Sequence, residues 1–434
     1  MITANKNRIL VFLCMIIAIT LCMGHVLGNR IILMLSIALF LGGIVFTSWS
    51  GKVLYLICFF LPWSPLIKFE PKTMSIYTVG LIAACGLTWI RYRISFRKYI
   101  LPAILMIVLI CAVRLYYDVG IDNSFIMFSI MLVLFPIIGE DLHKTYDFYN
   151  LNFFFSLGII AAALSAYYLV KYPMIARFID VHSVQAVTRY SGYYGDANFY
   201  SAHIVAALAG YLVMFGNAGK RTFISILMSI ALLYCGLLSV SKTFVITAIL
   251  VLFLWVFRIL FIKKNFSYKV VTIAVIGMVG ITIIASNLFS SLFDVIAIRF
   301  GNSSTLSDLT TGRSTIWLDY LRYFADNPAV IFFGNGYVNL LLDEHSTHNT
   351  LLQGVFQFGI VGCLILFFWL RDLFKITLRN VKMGQKHFFA CLILVIGVFL
   401  PWMSIDLLFG DEFFLMMFYI SLGFKWIYES SAET

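Results

Sequence analysis

The chain has 434 residues, of which 62% are hydrophobic and 12% charged, and its formal net charge is +11. That composition excludes a soluble globular domain, and the positive balance is spread over the connections between apolar runs, which excludes a nucleic-acid footprint. An all-α polytopic membrane protein remains, read here as a single membrane domain over residues 1–434.

In chain order, apolar runs lie at about 9–28, 31–48, 53–67, 74–90, 99–115, 123–138, 151–170, 198–216, 222–240, 243–262, 270–288, 349–370, 387–404 and 408–427. About 20 helical residues cross a hydrocarbon core, so the pattern predicts about 12–14 transmembrane helices. The 53–67 run is short and holds Pro62 and Pro65, which predicts a distorted or re-entrant segment, and the last two runs are split only by Ser404 and Asp406. The first run is followed by CMGHVLGNR, with no small-x-small cleavage site, and by another span at once, so it is expected to remain as a helix. All 8 cysteines fall inside these runs, where they are expected as small buried hydrophobes; neither a disulfide framework nor a CxxC zinc pattern is present.

Basic residues stay on the cytoplasmic side of a membrane protein. With the N-terminus inside, the 31 Lys and Arg divide as 20 inside and 11 outside, and the acids concentrate on the opposite face. Both termini are then cytoplasmic. Two outer connections stand out, 171–197 and 289–347, while nothing on the inner face is long enough to fold as a domain and no nucleotide-phosphate loop occurs. Chemistry is therefore expected on the outer face and without ATP.

The first outer candidate is TRYSGYYGDANFYSAHIVAAL (188–208), where Arg189 is either a solvated turn residue or a site cation. Asp196 or Asn198 is placed to cap a helix beginning near Phe199, and SGYYG allows close backbone approach. Next, LLSVSKTFVITAIL (237–250) carries Lys242 near the outer boundary, as a snorkelling anchor or as a second cation.

Within the long loop, TTGRSTIWLDYLRYFADNPAVIFFGNGY (310–337) predicts a short amphipathic helix over about 314–325, started by Ser314 or Thr315, stopped by Asn327-Pro328 and followed by a turn at GNGY. Ile316, Trp317, Tyr320, Leu321 and Phe324 form one apolar stripe, expected to pack on the membrane surface or on other helices. Arg313 opens this helix, where a cation opposes the helix dipole unless an anion shares the site.

Finally, DEHSTHNT (343–350) sets Asp343, Glu344, His345, His348 and Asn349 against the 349–370 span. These residue types serve three uses: a metal site, for which HExxH is absent and no second cluster supplies ligands; a polar cap on the helix near Asn349; or catalysis. No metal or other cofactor is expected.

Together these segments resemble the O-antigen ligase and polysaccharide polymerase superfamily of bacterial envelope glycosyltransferases. The similarity spans roughly 185–370 and rests on Arg189 through Gly192 to GDAN, then SVSKT, then GR with Trp317 and Asn327-Pro328, then GNGY, and finally His348-Asn349 with FGIVG. Many members have Pro where Ala197 stands, and ligases commonly carry Arg where Lys242 stands.

The resemblance implies a GT-C-like glycosyltransferase architecture in the bacterial inner membrane, with its active site on the periplasmic side. It implies inverting, metal-independent transfer of undecaprenyl-diphosphate-linked oligosaccharide to a glycan acceptor. The implied partners are that donor and acceptor, the lipid bilayer, and a chain-length regulator and flippase of the same pathway, with no nucleic acid. Arg189, Arg313 and Lys242 would meet the donor diphosphate, with Asp196, Asn198, Glu344, His345 and Asn349 in support. His348 directly precedes the helix at Asn349, whose positive dipole end keeps an imidazole neutral, and this makes it the expected general base for the acceptor hydroxyl. GDAN with SVSKT is more similar to polymerases than to ligases, which transfer the finished chain to lipid A core. A lipid-glycan flippase is the more distant alternative; such proteins place ionisable groups along the spans, whereas here Asp406 is the main charge at span depth.

Overall fold

The computed structural model describes residues 2–70, 75–92, 100–179, 182–184, 187–215, 222–261, 312–338, 346–378, 387–407 and 410–429, with four isolated positions between 294 and 301. The apolar runs fold as helices because backbone N–H and C=O groups with no water to bond must pair within their own segment. The helices are α1 (Ile2–Val26), α2 (Arg30–Ser50), α3 (Val53–Phe60), α4 (Ile76–Tyr92), α5 (Ile100–Tyr116), α6 (Asn123–Thr145), α7 (Phe148–Leu169), the single turn α8 (Pro173–Ala176), α9 (Ala197–Met214), α10 (Thr222–Leu238) and α11 (Lys242–Phe261). Then come α12 (Arg313–Asp326), α13 (Pro328–Phe333), α14 (Thr350–Thr377), α15 (Phe388–Phe399) and α16 (Asp411–Glu429). Between α8 and α9 lies a short hairpin, β1 (His182–Val184) and β2 (Val187–Arg189), antiparallel with His182 opposite Arg189.

Among the described residues, six helices are long and apolar enough to cross a membrane: Asn7–Val26, Arg30–Ser50, Phe148–Leu169, Ala197–Met214, Lys242–Leu260 and Thr350–Lys375. Shorter apolar helices of 10–17 residues accompany them at Val53–Trp63, Ile76–Tyr92, Ile100–Tyr116, Asn123–Gly139, Thr222–Leu238 and Phe388–Ser404. This is the architecture of an α-helical polytopic membrane protein. The run expected at 270–288 lies outside the described residues. The short 53–67 run is indeed distorted: α3 gives way to a 3-10 turn at Leu61–Trp63, buried throughout, and the Trp63 indole donates to the Gly158 carbonyl of α7 at 3.2 Å.

The core centres on α9, of which every residue except Phe199 is buried. Its small residues Ala206, Ala207, Ala209 and Gly210 let neighbouring helices approach closely, the usual means of packing where hydrophobic exclusion is weak. Polar pairing fixes the register there. Asn152 of α7 donates to the Ala207 carbonyl at 3.1 Å, and the Tyr419 hydroxyl of α16 lies 2.7 Å from Asn152 Oδ1 and 2.9 Å from the Ala206 carbonyl.

A second, smaller cluster seats the outer-loop helices. Tyr320 and Phe324 of α12 and Val330 of α13 are buried against Phe356 of α14. Beyond them the GNGY turn enters a break in α14, where Gly359 has φ 63° and ψ 179°. Asn335 N–H donates to the Phe356 carbonyl at 2.9 Å, and Gly336 and Tyr337 N–H both donate to that of Gln357 at 3.2 Å, replacing the helical bonds the break removes. Tyr337 stacks on Phe128 and Phe358, and the buried Arg114 guanidinium, 3% exposed, donates to the Gly336 and Tyr337 carbonyls at 3.1 and 3.0 Å.

Candidate functional site

Four of the singled-out segments meet at one place. Asp196 is the N-cap of α9, as expected, and accepts the Asn198 N–H at 2.6 Å and its side-chain amide at 2.9 Å. Asn198 is 6% exposed, and its Oδ1 accepts the Ser241 hydroxyl at 2.8 Å and an Arg189 guanidinium N–H at 3.5 Å. Arg189, at the end of β2, also donates to the Ser239 carbonyl at 3.4 Å, while Tyr190 N–H donates to the Leu238 carbonyl. The GDAN and SVSKT segments are thus joined by hydrogen bonds in which Asn198 and Ser241 take part directly.

Lys242 follows as the first residue of α11 and is 7% exposed. The snorkelling alternative is therefore corrected: the lysine points into the protein. Val240, two residues earlier, has φ 47°, unusual for a β-branched residue. Among the described residues only Asp118, Val240, Tyr337 and His348 are non-glycines with positive φ, and the last three fall in SVSKT, GNGY and the loop before α14. Backbone held in such regions costs on the order of 1–3 kcal/mol and persists where its surroundings over-determine it, which is common at functional sites.

Arg313 is the first residue of α12, following Gly312 at φ 82°. Neither Ser314 nor Thr315 starts the helix; the Thr315 hydroxyl donates back to the Gly312 carbonyl. Arg313 is half-buried, and among the described residues it makes no hydrogen bond or ion pair. Burial holds its guanidinium below the usual arginine range, with the Asp196 and Asp406 carboxylates near enough to pull it partly back. One helical turn on, Trp317 donates its indole N–H to the Thr347 carbonyl at 3.0 Å, tying α12 to the segment that precedes α14.

That segment is organised by Asp406. Its Oδ2 accepts the His348 N–H at 3.0 Å, its Oδ1 accepts the Asn349 N–H at 3.2 Å, and the Thr347 hydroxyl donates to the same oxygen. Asn349 caps α14 by accepting the Leu351 and Leu352 N–H groups at 3.0 and 3.1 Å. The Ser346 hydroxyl lies 3.4 Å from both ring nitrogens of His348, whose φ is 45°.

The named residues form one sequence of contacts and fields: Arg189 to Asn198 to Asp196, Asp196 to Arg313, Arg313 to Asp406, and Asp406 to His348 and Asn349. Glu344 and His345, and Asp343 with them, lie outside the described residues. Among those described, no group of three His, Cys, Asp or Glu is placed to hold a metal. Asp406 and Ser241 are the residues that reading the sequence missed. Asp406 is not inside a span; it sits in the connection after the turn Pro401–Ser404 and before α16. A lone carboxylate breaking an apolar stretch was the available signal, but it pointed equally to a translocation path. Compared with known proteins, the sequence matches no family model and no curated protein.

Proposed function

We propose that this chain is a membrane glycosyltransferase of GT-C-like architecture that polymerises undecaprenyl-diphosphate-linked oligosaccharide repeats at the outer face of the bacterial inner membrane, with both termini cytoplasmic. The observation that carries the reading is Arg313: a half-buried guanidinium with no bonded acceptor among the described residues, set in one cluster with Arg189 and the His348 loop. A cation whose burial no described carboxylate offsets by direct contact is suited to a multivalent anion, and a diphosphate accepts paired N–H groups well.

In this reading Arg313 and Arg189, with Lys242, hold the donor diphosphate and stabilise charge as it leaves the anomeric carbon. His348 takes the proton from the acceptor hydroxyl as the new glycosidic bond forms on the opposite face, inverting the centre. Asp406 accepts the backbone N–H next to that ring and so sets its position. Asp196 and Asn198 keep Arg189 in place, and Asn349 holds the start of α14.

The test is a gel of surface and lipid-linked glycan from a deletion strain. Single capped repeats are expected. Long chains stranded on the carrier lipid would instead identify a ligase, and donor retained at the inner face a flippase.

A further inference from the structure

The outer-loop helices carry a second apolar surface besides the one buried on Phe356. Leu321, expected inside the packing stripe, is 55% exposed, and Leu318, one turn before it, stands out with it. On α13, Phe332 and Phe333 are 53% and 51% exposed. Large apolar groups gathered on one short polar-loop element mark an interaction surface.

Its surroundings say what covers it. The Phe332–Phe333 backbone lies directly on Gly359, so closely that a Cβ there would strike it. The next residues of α14, Ile360 and Val361, are themselves exposed and apolar, on a helix long and apolar enough to span a membrane. On the other flank Tyr323 lies near Tyr117, just past the end of α5, where Leu115, Tyr116 and Tyr117 are exposed. The apolar surface of α12–α13 therefore continues into the exposed apolar surfaces of two neighbouring helices.

We propose that α12–α13 is an interfacial membrane element, with Phe332, Phe333 and the Leu318–Leu321 edge inserted among phospholipid chains at the polar–apolar boundary. Aromatic and leucine side chains at that depth are typical of surface-lying helices. The inference does not depend on the reaction, although it fixes Arg313, at the start of α12, at headgroup level.

Phe332, Phe333 and Ile360 are each replaced by photoreactive p-benzoylphenylalanine in the full-length protein and irradiated in native membranes, with protein amount checked by immunoblot. Phospholipid-mass adducts at 332 and 333, as at 360, are expected. Adducts to a second copy or another protein, or none where position 360 gives one, overturn the proposal. As a second reading, a bimane label on F332C in phosphatidylethanolamine–phosphatidylglycerol vesicles, in a C111S background, is expected to be quenched by brominated lipid. Quenching by aqueous iodide instead overturns it.

Discussion

The Asp406 carboxylate accepts the backbone N–H of His348 at 3.0 Å across 58 residues of sequence. With the Asn349 N–H and the Thr347 hydroxyl on its other oxygen, one side chain holds three consecutive residues and the positive φ of His348. Asp406→Ala takes the carboxylate from the His348 N–H and from the Asn349 N–H, which keeps only its longer bond to the Thr347 hydroxyl at 3.4 Å, a cost of about 1–3 kcal/mol. A clear fall in the Tm of the detergent-purified protein is expected, together with loss of glycan extension. Asp406→Asn keeps one acceptor oxygen and should fall between. An unchanged Tm in Asp406→Ala would remove the carboxylate from this role.

His348→Asn isolates the proposed chemistry from the conformation. Asparagine tolerates the left-handed region, so the loop geometry survives while the proposed base is lost. The variant should remain folded and accumulate unextended donor in membranes, and His345→Ala should be much milder. Polymerisation near the wild-type level in His348→Asn would leave the site to its cations alone.

For Arg313, replacement by Lys should fail nearly as badly as replacement by Ala, because the paired N–H geometry is lost with the guanidinium. Removal of one such stabilising group costs about 10²–10³ in rate, measurable with isolated membranes and lipid-linked donor. Arg189→Lys additionally loses the bonds to Asn198 and Ser239 and should behave likewise. Full activity at normal protein level in either alanine variant excludes that residue.

Two glycines should respond differently to the same change. At Gly359, φ 63° with ψ 179° is open essentially to glycine alone, and a Cβ would strike the Phe332 carbonyl, so Gly359→Ala should abolish folded protein. Gly192, with φ 61°, has only the Tyr200 ring within 3.5 Å, so Gly192→Ala should cost only about 1–2 kcal/mol. Fluorescence-detected size exclusion of tagged variants separates the two outcomes; a monodisperse Gly359→Ala would contradict the break in α14.

Asp122 caps α6 and pairs with Arg114 at 2.6 Å. Burial alone would raise its carboxyl, but the Phe125 N–H and the Arg114 guanidinium outweigh that and hold it below the usual range. A depressed carboxyl stabilises the fold above its unfolded value, about 4, and the contribution is lost as pH falls below that. The Tm of the wild type should therefore drop more steeply than that of Asp122→Asn between about pH 5 and 3. Parallel curves would show that the cap carries no pH-linked stability. The effect is small, since the side chain is 45% exposed.

Local chemistry was legible along the chain. The helix expected at 314–325 runs Arg313–Asp326, ends at Asn327 before Pro328, and has Tyr320 and Phe324 on its buried face; Asp196 and Asn349 cap the helices they precede. Periodicity, caps and proline act within one or two turns, so a sequence read alone determines them, as its apolar fraction determines a helical membrane protein. What it left open depended on partners distant in the chain. Lys242 is buried rather than snorkelling because α11 starts inside the GDAN–SVSKT junction, and Leu321 faces outward because Phe356 takes only part of the stripe. The break at Gly359 exists because the Phe332–Phe333 backbone and the GNGY turn occupy the space and satisfy the carbonyls of Phe356 and Gln357. The place of Asp406 required the closure of a 58-residue separation, an arrangement set by helix packing and hydrogen bonding that no local pattern of residues encodes.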